Sequence, residues 1–329
     1  MDNYMMPPYQ ITDEMLTLIA KVMERLGQLA NVNDLSSLPR LQRANRIKAI
    51  HSSLAIEHNS LSITQVANVI SGKRVLGSPS EIQEVKGAIA AYNLLQTLDP
   101  FSVNDLLAAH KVMTQGLIED AGKFRTAEEG VFEGDKCIHI APPPNQVPSL
   151  ISNLFSWLKA SKAHPLITSS VFHYELEFIH PFRDGNGRIG RLWQTAILSH
   201  WKPLFAWIPV ESIIIDKQEE YYRAILLSTI KGLSNPFIIF MLQVVLQAVE
   251  QLLSDSKKFA SHISDKVRRL INVAKEYPMT AVELMKLLNL KSRDSFRKNY
   301  LHPALEAGLI AMTHPQQPTS RNQMYYKKW

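Results

Sequence analysis

Apolar residues recur three and four positions apart in segment after segment of this chain. Only an α-helix turns that spacing into one buried face. Asp13–Ala30, Pro79–Leu98, Val103–Ile118, Gln146–Lys162 and Ser169–Ile179 all read this way, as do the stretches beginning at Ile189, Lys217 and Asn235. One region departs from the pattern. Gly130–Pro144 alternates around Gly134-Asp135 and ends in three prolines, which stop any strand, so a β-hairpin is expected there on a helical body. From about Ser261 the pattern changes again, to three short helices and then two strands around a Pro/Ser turn, the winged-helix arrangement.

With 329 residues, 46% of them hydrophobic, the chain can build one large core and a small second domain. Its longest apolar run, the 13 residues Phe237–Val249, is interrupted by Gln243 and Gln247. A membrane span needs about 20 residues, so none is expected. The first ten residues have neither the basic start nor the apolar run of a signal peptide. A single cysteine, Cys137, fits a reducing compartment. These features predict a soluble cytoplasmic protein without a membrane association. The net charge of +6 is uneven: Ser256–Trp329 holds 14 Lys/Arg against 5 Asp/Glu, and the remainder holds 22 against 25. Basicity belongs to the tail.

Between two helical stretches the chain carries His180-Pro181-Phe182-Arg183-Asp184-Gly185-Asn186-Gly187-Arg188-Ile189-Gly190-Arg191. Glycines at that junction permit positive φ and let a ligand approach the backbone. The amide groups of the following helix then point at that ligand, and the helix dipole favours negative charge. Arg188 and Arg191 are three apart, so they share a helix face beside the same spot. Two guanidiniums next to an amide cluster describe a polyphosphate site. Asp184, just before the turn, is placed to hold a Mg²⁺ that bridges phosphate oxygens. A neutral imidazole at His180 can take a proton from an incoming hydroxyl. Together these residues suggest transfer of a phosphorus-bearing group to an alcohol.

The twelve residues resemble the Fic family signature, H-P-F-x-(D/E)-G-N-G-R-x-x-R, at every specified position. Ala121–Thr126 is similar to the family's entry to its flap, the stretch from Ala141 to its exit, and Glu220–Leu226 to its adenine-side tyrosine helix; the likeness spans roughly residues 45 to 250. The resemblance implies a mainly α, Fic-type helical bundle with a β-hairpin flap, plus the C-terminal winged-helix domain. The expected bounds are 1–100 for an N-terminal helical region, 101–255 for the Fic catalytic core and 256–329 for the winged-helix-like domain. It also implies a protein adenylyltransferase, moving AMP from ATP to a Ser, Thr or Tyr hydroxyl of a target protein, with possible self-modification. By that likeness His180 is the general base, Phe182 anchors the loop, and Asp184 binds Mg²⁺. ATP is held along Gly185, Asn186, Gly187, Arg188, Ile189, Gly190 and Arg191, with Arg191 at the γ-phosphate and Tyr221 or Tyr222 near the base. The flap, Val131, Ile138 and Ile140 among its residues, would hold the target by strand addition.

Upstream, Ser52–Val66 resembles the family's inhibitory helix, (S/T)-x-x-x-E-(G/N), in its N-terminal form. Ser53 and Glu57 match, and His58 stands where Gly or Asn is usual. A carboxylate paired with Arg191 would take the γ-phosphate's partner, so Glu57 is expected to inhibit while lying within the ATP site. Two alternatives stay open: removal of AMP or transfer of another phosphate-containing group on the same fold, and a nucleotide-sensing regulator that binds DNA. A homodimer and nucleic acid contacts through the tail, near Lys291, Arg293, Arg297 and Lys298, complete the partners considered.

Overall fold

The computed structural model describes residues 6–31, 39–133, 136–262 and 264–327. Five helices precede the hairpin: α1 (Asp13–Asn31), α2 (Pro39–Ile56), α3 (Ile63–Ile70), α4 (Pro79–Asn93) and α5 (Val103–Thr114). The hairpin itself is antiparallel, β1 (Gly130–Glu133) with β2 (Lys136–Ile140). After it come α6 (Val147–Ala160), α7 (Pro165–Ile179), α8 (Asn186–Trp201), α9 (Glu211–Asp216), α10 (Gln218–Lys231) and α11 (Asn235–His262). The fold is mainly helical, as the periodicity requires.

Local chemistry sets several of the helix starts. Ser62 with Gln65, and Ser78 with Glu81, form capping boxes that satisfy the first amides of α3 and α4. Pro165 occupies the first turn of α7, where its missing N–H costs nothing, and His164 Nδ1 accepts from Leu166 N. Nearly every residue of α7 from Leu166 to Tyr174 is buried, so this helix lies at the centre with α8 packed along it.

The structure also departs from the sequence pattern. Val103–Ile118 reads as one helix, yet α5 stops at Thr114 because Gln115 turns extended and gives its carbonyl to Gln83 Nε2 at 2.9 Å. Pro79–Leu98 likewise ends as α-helix at Asn93 and tightens to a 3₁₀ turn over Leu94–Gln96. The apolar run Phe237–Val249 belongs to a helix of 28 residues, and its stretch Asn235–Lys258, with mean hydropathy 1.7, is long and apolar enough to cross a membrane. That stretch is a core helix: Phe237, Ile238, Met241, Leu242, Val244 and Val245 are buried, while Gln243 and Gln247 fall on its outer side.

The chain divides into two compact units, residues up to Glu24 with Asn45–Val249, and Arg25–Ala44 with Glu250 onward. The second contains α12 (Asp265–Val273), β3 (Met279–Thr280), α13 (Ala281–Leu287), α14 (Arg293–Phe296), α15 (His302–Glu306), β4 (Ile310–Met312) and β5 (Met324–Lys327). Its core gathers Val267, Leu270, Leu284, Phe296, Leu301 and Ile310. Two details lie outside the expected three helices and a hairpin. A third short strand, β3, joins the sheet in the order β3-β5-β4. The expected third helix is split by a π turn over Arg297–Leu301, just ahead of Pro303. Proline removes one donor and crowds the carbonyl four residues back, and the wider turn relieves both.

One contact fixes how closely α4 and α5 approach. A Cβ built on Gly87 would collide with the Met113 carbonyl oxygen. Gly87→Ala is therefore expected to lower stability by roughly 2–3 kcal/mol, at the upper end for an overpacked core, read as a fall in the denaturant midpoint.

Candidate active site

The motif begins where α7 ends. His180 caps the helix in the left-handed region, φ 50 and ψ 60, which a histidine adopts only when its surroundings compel it. Its N–H is held by Leu176 O at 2.9 Å, and its carbonyl accepts from Arg125 Nε at 2.7 Å. Phe182 is fully buried and lies flat on His110, ring centroids 3.7 Å apart. Asn186 closes the loop: its Oδ1 accepts from Phe182 N at 2.9 Å and its Nδ2 donates to Phe182 O at 2.7 Å. Gly185 turns the chain at φ 84, with Thr114 and His110 packed against it.

The start of α8 then stands open. Gly185 is its N-cap and offers no side-chain bond, so the amides of Asn186, Gly187 and Arg188 lack a capping partner. Asp184 Oδ1 accepts from Gly185 N at 2.6 Å and from Arg188 NH2 at 2.8 Å. Arg188 is buried, and its Nε and NH1 have no hydrogen-bond partner among the described residues; His180 Nδ1 is in the same condition. Buried donors left unmet are costly, and here they surround one spot.

Arg191 is fully engaged. Its NH2 reaches Glu57 Oε1 at 2.7 Å and the Ser53 carbonyl at 2.9 Å, and its Nε donates to Ser53 Oγ at 3.1 Å. Burial acts to depress its pKa, but Glu57, Tyr221 and Glu177 together outweigh it and the guanidinium is held above its ordinary value. Glu57 Oε1 also occupies the space over Gly187. This glutamate is positioned by how α2 terminates. His58 sits left-handed at φ 67, His58 N bonds Ala55 O at 3.0 Å, and Asn59 N bonds Leu54 O at 3.1 Å. That is a Schellman end, in which the left-handed residue favours Gly or Asn; His58 fills it nonetheless, and the helix ends normally.

Two titrations matter. Burial lowers the His180 pKa, against the opposing charges of Glu177 and Glu129, so the imidazole is neutral and basic at neutral pH. Burial also pushes His110 down to about 4. Gly122 N donates to His110 Nδ1 at 2.9 Å, which leaves Nε2 carrying the proton and donating to Asp184 O at 2.9 Å.

The other sequence-designated residues divide by position. Ile189 and Gly190 turn into the packing against α7: Ile189 is fully buried with its N–H on Gly185 O, and a Cβ on Gly190 would press His173 and Glu177. The Asn186 side chain braces the loop, leaving only its backbone amide for a ligand. Tyr221 is buried with its hydroxyl 3.2 Å from His173 Nε2, whereas Tyr222 is only partly buried and feels the Glu57 charge. Ile140 is exposed at the foot of the flap. The Val131, Cys137 and Ile138 side chains and the Gly134-Asp135 turn lie outside the described residues.

Asp184 presents a half-exposed carboxylate whose Oδ1 is already bonded, and no cluster of three acidic, His or Cys ligands occurs among the described residues. Asp184 is the one carboxylate of the loop, and Mg²⁺ sites commonly take one or two carboxylates with substrate phosphates and water. Sequence spacing does not reveal Arg125, His110, or the pair Tyr92 and Glu211, whose 2.6 Å hydrogen bond lies behind Arg191. Arg125, His110 and Tyr92 each act from more than 50 residues away along the chain, and Glu211 from 20 residues beyond Arg191.

This is a helical scaffold that presents an uncapped glycine turn with two arginines after a histidine in a left-handed conformation. A model of the Fic/DOC family matches residues 100–198, and a model described as the C-terminal domain of Filamentation induced by cAMP protein Fic-like matches 265–326. A solved Fic family protein from Desulfovibrio desulfuricans is 44% identical over 98% of both chains, with a TM-score of 0.76. Fic-1 from Caenorhabditis elegans, 22% identical over 74% of each chain at a TM-score of 0.60, shares the fold. Curated relatives named protein adenylyltransferase Fic include one from Aedes aegypti, 30% identical over 67% of this chain and 45% of the relative, and one from Nematostella vectensis, 27% identical over 75% and 57%. The chain spans about half the length of the curated relatives it matches. It belongs to the Fic family.

His110 gives the site a testable pH signature. Its folded pKa, about 4, lies below the unfolded value near 6.5, so protonation favours the unfolded chain and stability falls as pH drops through that window. His110→Gln is expected to flatten the pH dependence between about 6.5 and 4 by roughly 3 kcal/mol, seen by comparing denaturant unfolding of the two proteins across that range.

Proposed function

We propose that this protein transfers AMP from ATP to a hydroxyl side chain of a target protein, and that Glu57 restrains the reaction. The observation that carries this reading is the set of unmet donors around the glycine turn, Arg188 Nε and NH1 and the uncapped amides of α8, on the same loop as the His180 imidazole. Phosphate oxygens satisfy such donors. The names of the adenylyltransferase relatives support nucleotide transfer over other phosphorus chemistry.

In this mechanism the amides of Asn186, Gly187 and Arg188 cradle the phosphates, and Arg191, once free of Glu57, takes the γ-phosphate. Tyr222 lines the base end, since Tyr221 is committed to the core. Asp184 would hold Mg²⁺ together with phosphate oxygens, and that ion would supply charge neutralisation. The hydroxyl oxygen of the target attacks the α-phosphorus, His180 accepts its proton, and the bond to the β-phosphate oxygen breaks to release pyrophosphate. Strand addition at the flap hairpin presents that hydroxyl without requiring a particular sequence. With Glu57 on Arg191, ATP can enter, but its γ-phosphate meets a carboxylate and the α-phosphorus is misaligned. Positioning supplies much of the rate in such transfers.

Incubation with labelled ATP and cell lysate tests the reading. Glu57→Gly is expected to raise transfer, including onto the protein itself, and adding Arg191→Ala should cancel the gain. His180→Ala should lower the rate of the activated protein about 10²–10⁴-fold while nucleotide still binds. A folded Glu57→Gly protein with unchanged transfer would sink the restraint, and a His180→Ala protein with near-native rate would sink the mechanism. One observation also favours removal of AMP as a second reading: the Glu57 side chain is 37% exposed at the site and can orient a water. Loss of label from a pre-modified target, dependent on Glu57, would identify it.

A further inference from the structure

Arg125 is 3% exposed, carries a permanent charge, and spends its guanidinium almost wholly on carbonyl oxygens. Nε donates to His180 O at 2.7 Å, and NH2 donates to Ile179 O at 3.3 Å and to Pro142 O at 2.5 Å. NH1 donates to Ala127 O at 2.8 Å, and its own backbone N–H reaches Pro181 O at 2.9 Å. Burying a cation without a carboxylate partner at hydrogen-bond distance is expensive, and ordinary core packing gives no reason for it.

The four acceptors are not scattered. Ile179 and His180 belong to the end of α7, where helix carbonyls have no intrahelical partner and the backbone carries the left-handed strain of His180. Ala127 precedes β1 and Pro142 follows β2, so they are the two feet of the flap; the feet are also joined directly, Ala141 N to Glu129 O at 3.0 Å. One rigid, planar fork therefore sets the distance from the flap to the base. We infer that Arg125 is a positioning residue that fixes where the hydroxyl presented by the flap lies relative to His180. This rests on the transfer reaction proposed above. Arg125 touches neither nucleotide phosphates nor the reacting atoms; it acts through the backbone of His180 and of the flap.

A second effect separates this role from general support of the fold. The Arg125 cation disfavours protonation of His180, opposing Glu177 on α7 and Glu129 beside the flap. The base must be neutral to accept a proton. Removing the charge raises the His180 pKa, so the acid limb of the rate profile moves to higher pH; keeping the charge without the fork leaves that limb in place.

The test compares Arg125→Gln and Arg125→Lys in the Glu57→Gly protein, measuring AMP transfer against pH and nucleotide affinity separately. Both variants are expected to lose about 100-fold in kcat, the scale of an ångström of misplacement, with ATP affinity retained. Only Arg125→Gln should shift the acid limb upward. Should the Gln variant fail to fold, the Lys variant decides alone: a folded Lys variant with parental kcat overturns the inference. A folded Gln variant with an unmoved limb and parental kcat overturns it equally. If the Glu57→Gly parent itself transfers no AMP, the proposed function has failed rather than the positioning, and hydrogen exchange then decides: Ala141 N–H should lose protection in Arg125→Lys, and unchanged protection overturns the clamp.

Discussion

The site is organised around the buried guanidinium of Arg191. A cation in a protein interior must be met by anions and acceptors, and here Glu57 and both the hydroxyl and carbonyl of Ser53 meet it. Because the arginine is rooted in α8 and its partners end α2, this one interaction joins elements 134 residues apart. In the proposed reaction the same cation serves two anions, the carboxylate in place and the phosphate that would displace it. The chemistry of the site follows from which one is present.

Around that pair the backbone is held more firmly than a loop of twelve residues normally would be. The His110 ring covers Phe182, Asn186 ties Phe182 at both ends, and Arg125 gathers the carbonyls of Ile179 and His180. Each brace comes from a different part of the chain, so the left-handed turn at His180 is determined from several directions at once. Strain of this kind persists only when the surroundings over-determine it. The freedom that remains is confined to unmet donors, on Arg188 and on the amides that open α8.

Much of this was legible in the amino-acid order. The glycine turn, His180, Asp184 and the two arginines are contiguous, and their placement together follows from spacing on a loop and one helix turn. Glu57 was legible only through resemblance, because a carboxylate on a helix carries no sign of a partner so far along the chain. Arg125 falls in the stretch resembling the flap entry but with no role attached, and His110 gives no signal, since their meaning lies in carbonyls and a ring that the fold alone brings near. The helix ends were misjudged where a side chain elsewhere claims the backbone, as Gln83 does at Gln115, and the π turn is the response to Pro303. Within the signature, the Ile189 side chain is buried and Gly190 lies close to His173 and Glu177, a packing role that motif membership alone does not reveal.

The chain leaving α2 is anchored as soon as it passes Glu57. Asn59 Nδ2 donates to Glu84 Oε2 at 2.7 Å, and Glu81 Oε1 takes both the backbone and the hydroxyl of Ser60, at 2.7 and 2.6 Å, while its other oxygen caps α4 through Ser78. Hydrogen bonds from Ser60, with Ser78, hold the Glu81 carboxyl down to about 2, so it stays charged across the physiological range. Glu57 therefore does not ride on a free arm. Carrying its backbone away from Arg191 would strip Glu81 and Glu84 of the donors that Ser60 and Asn59 supply; short of that, only the side chain can swing. The contact between Glu57 and Arg191 is thereby tied to α2 and α4 together, and is sheltered from the small fluctuations of its own helix end.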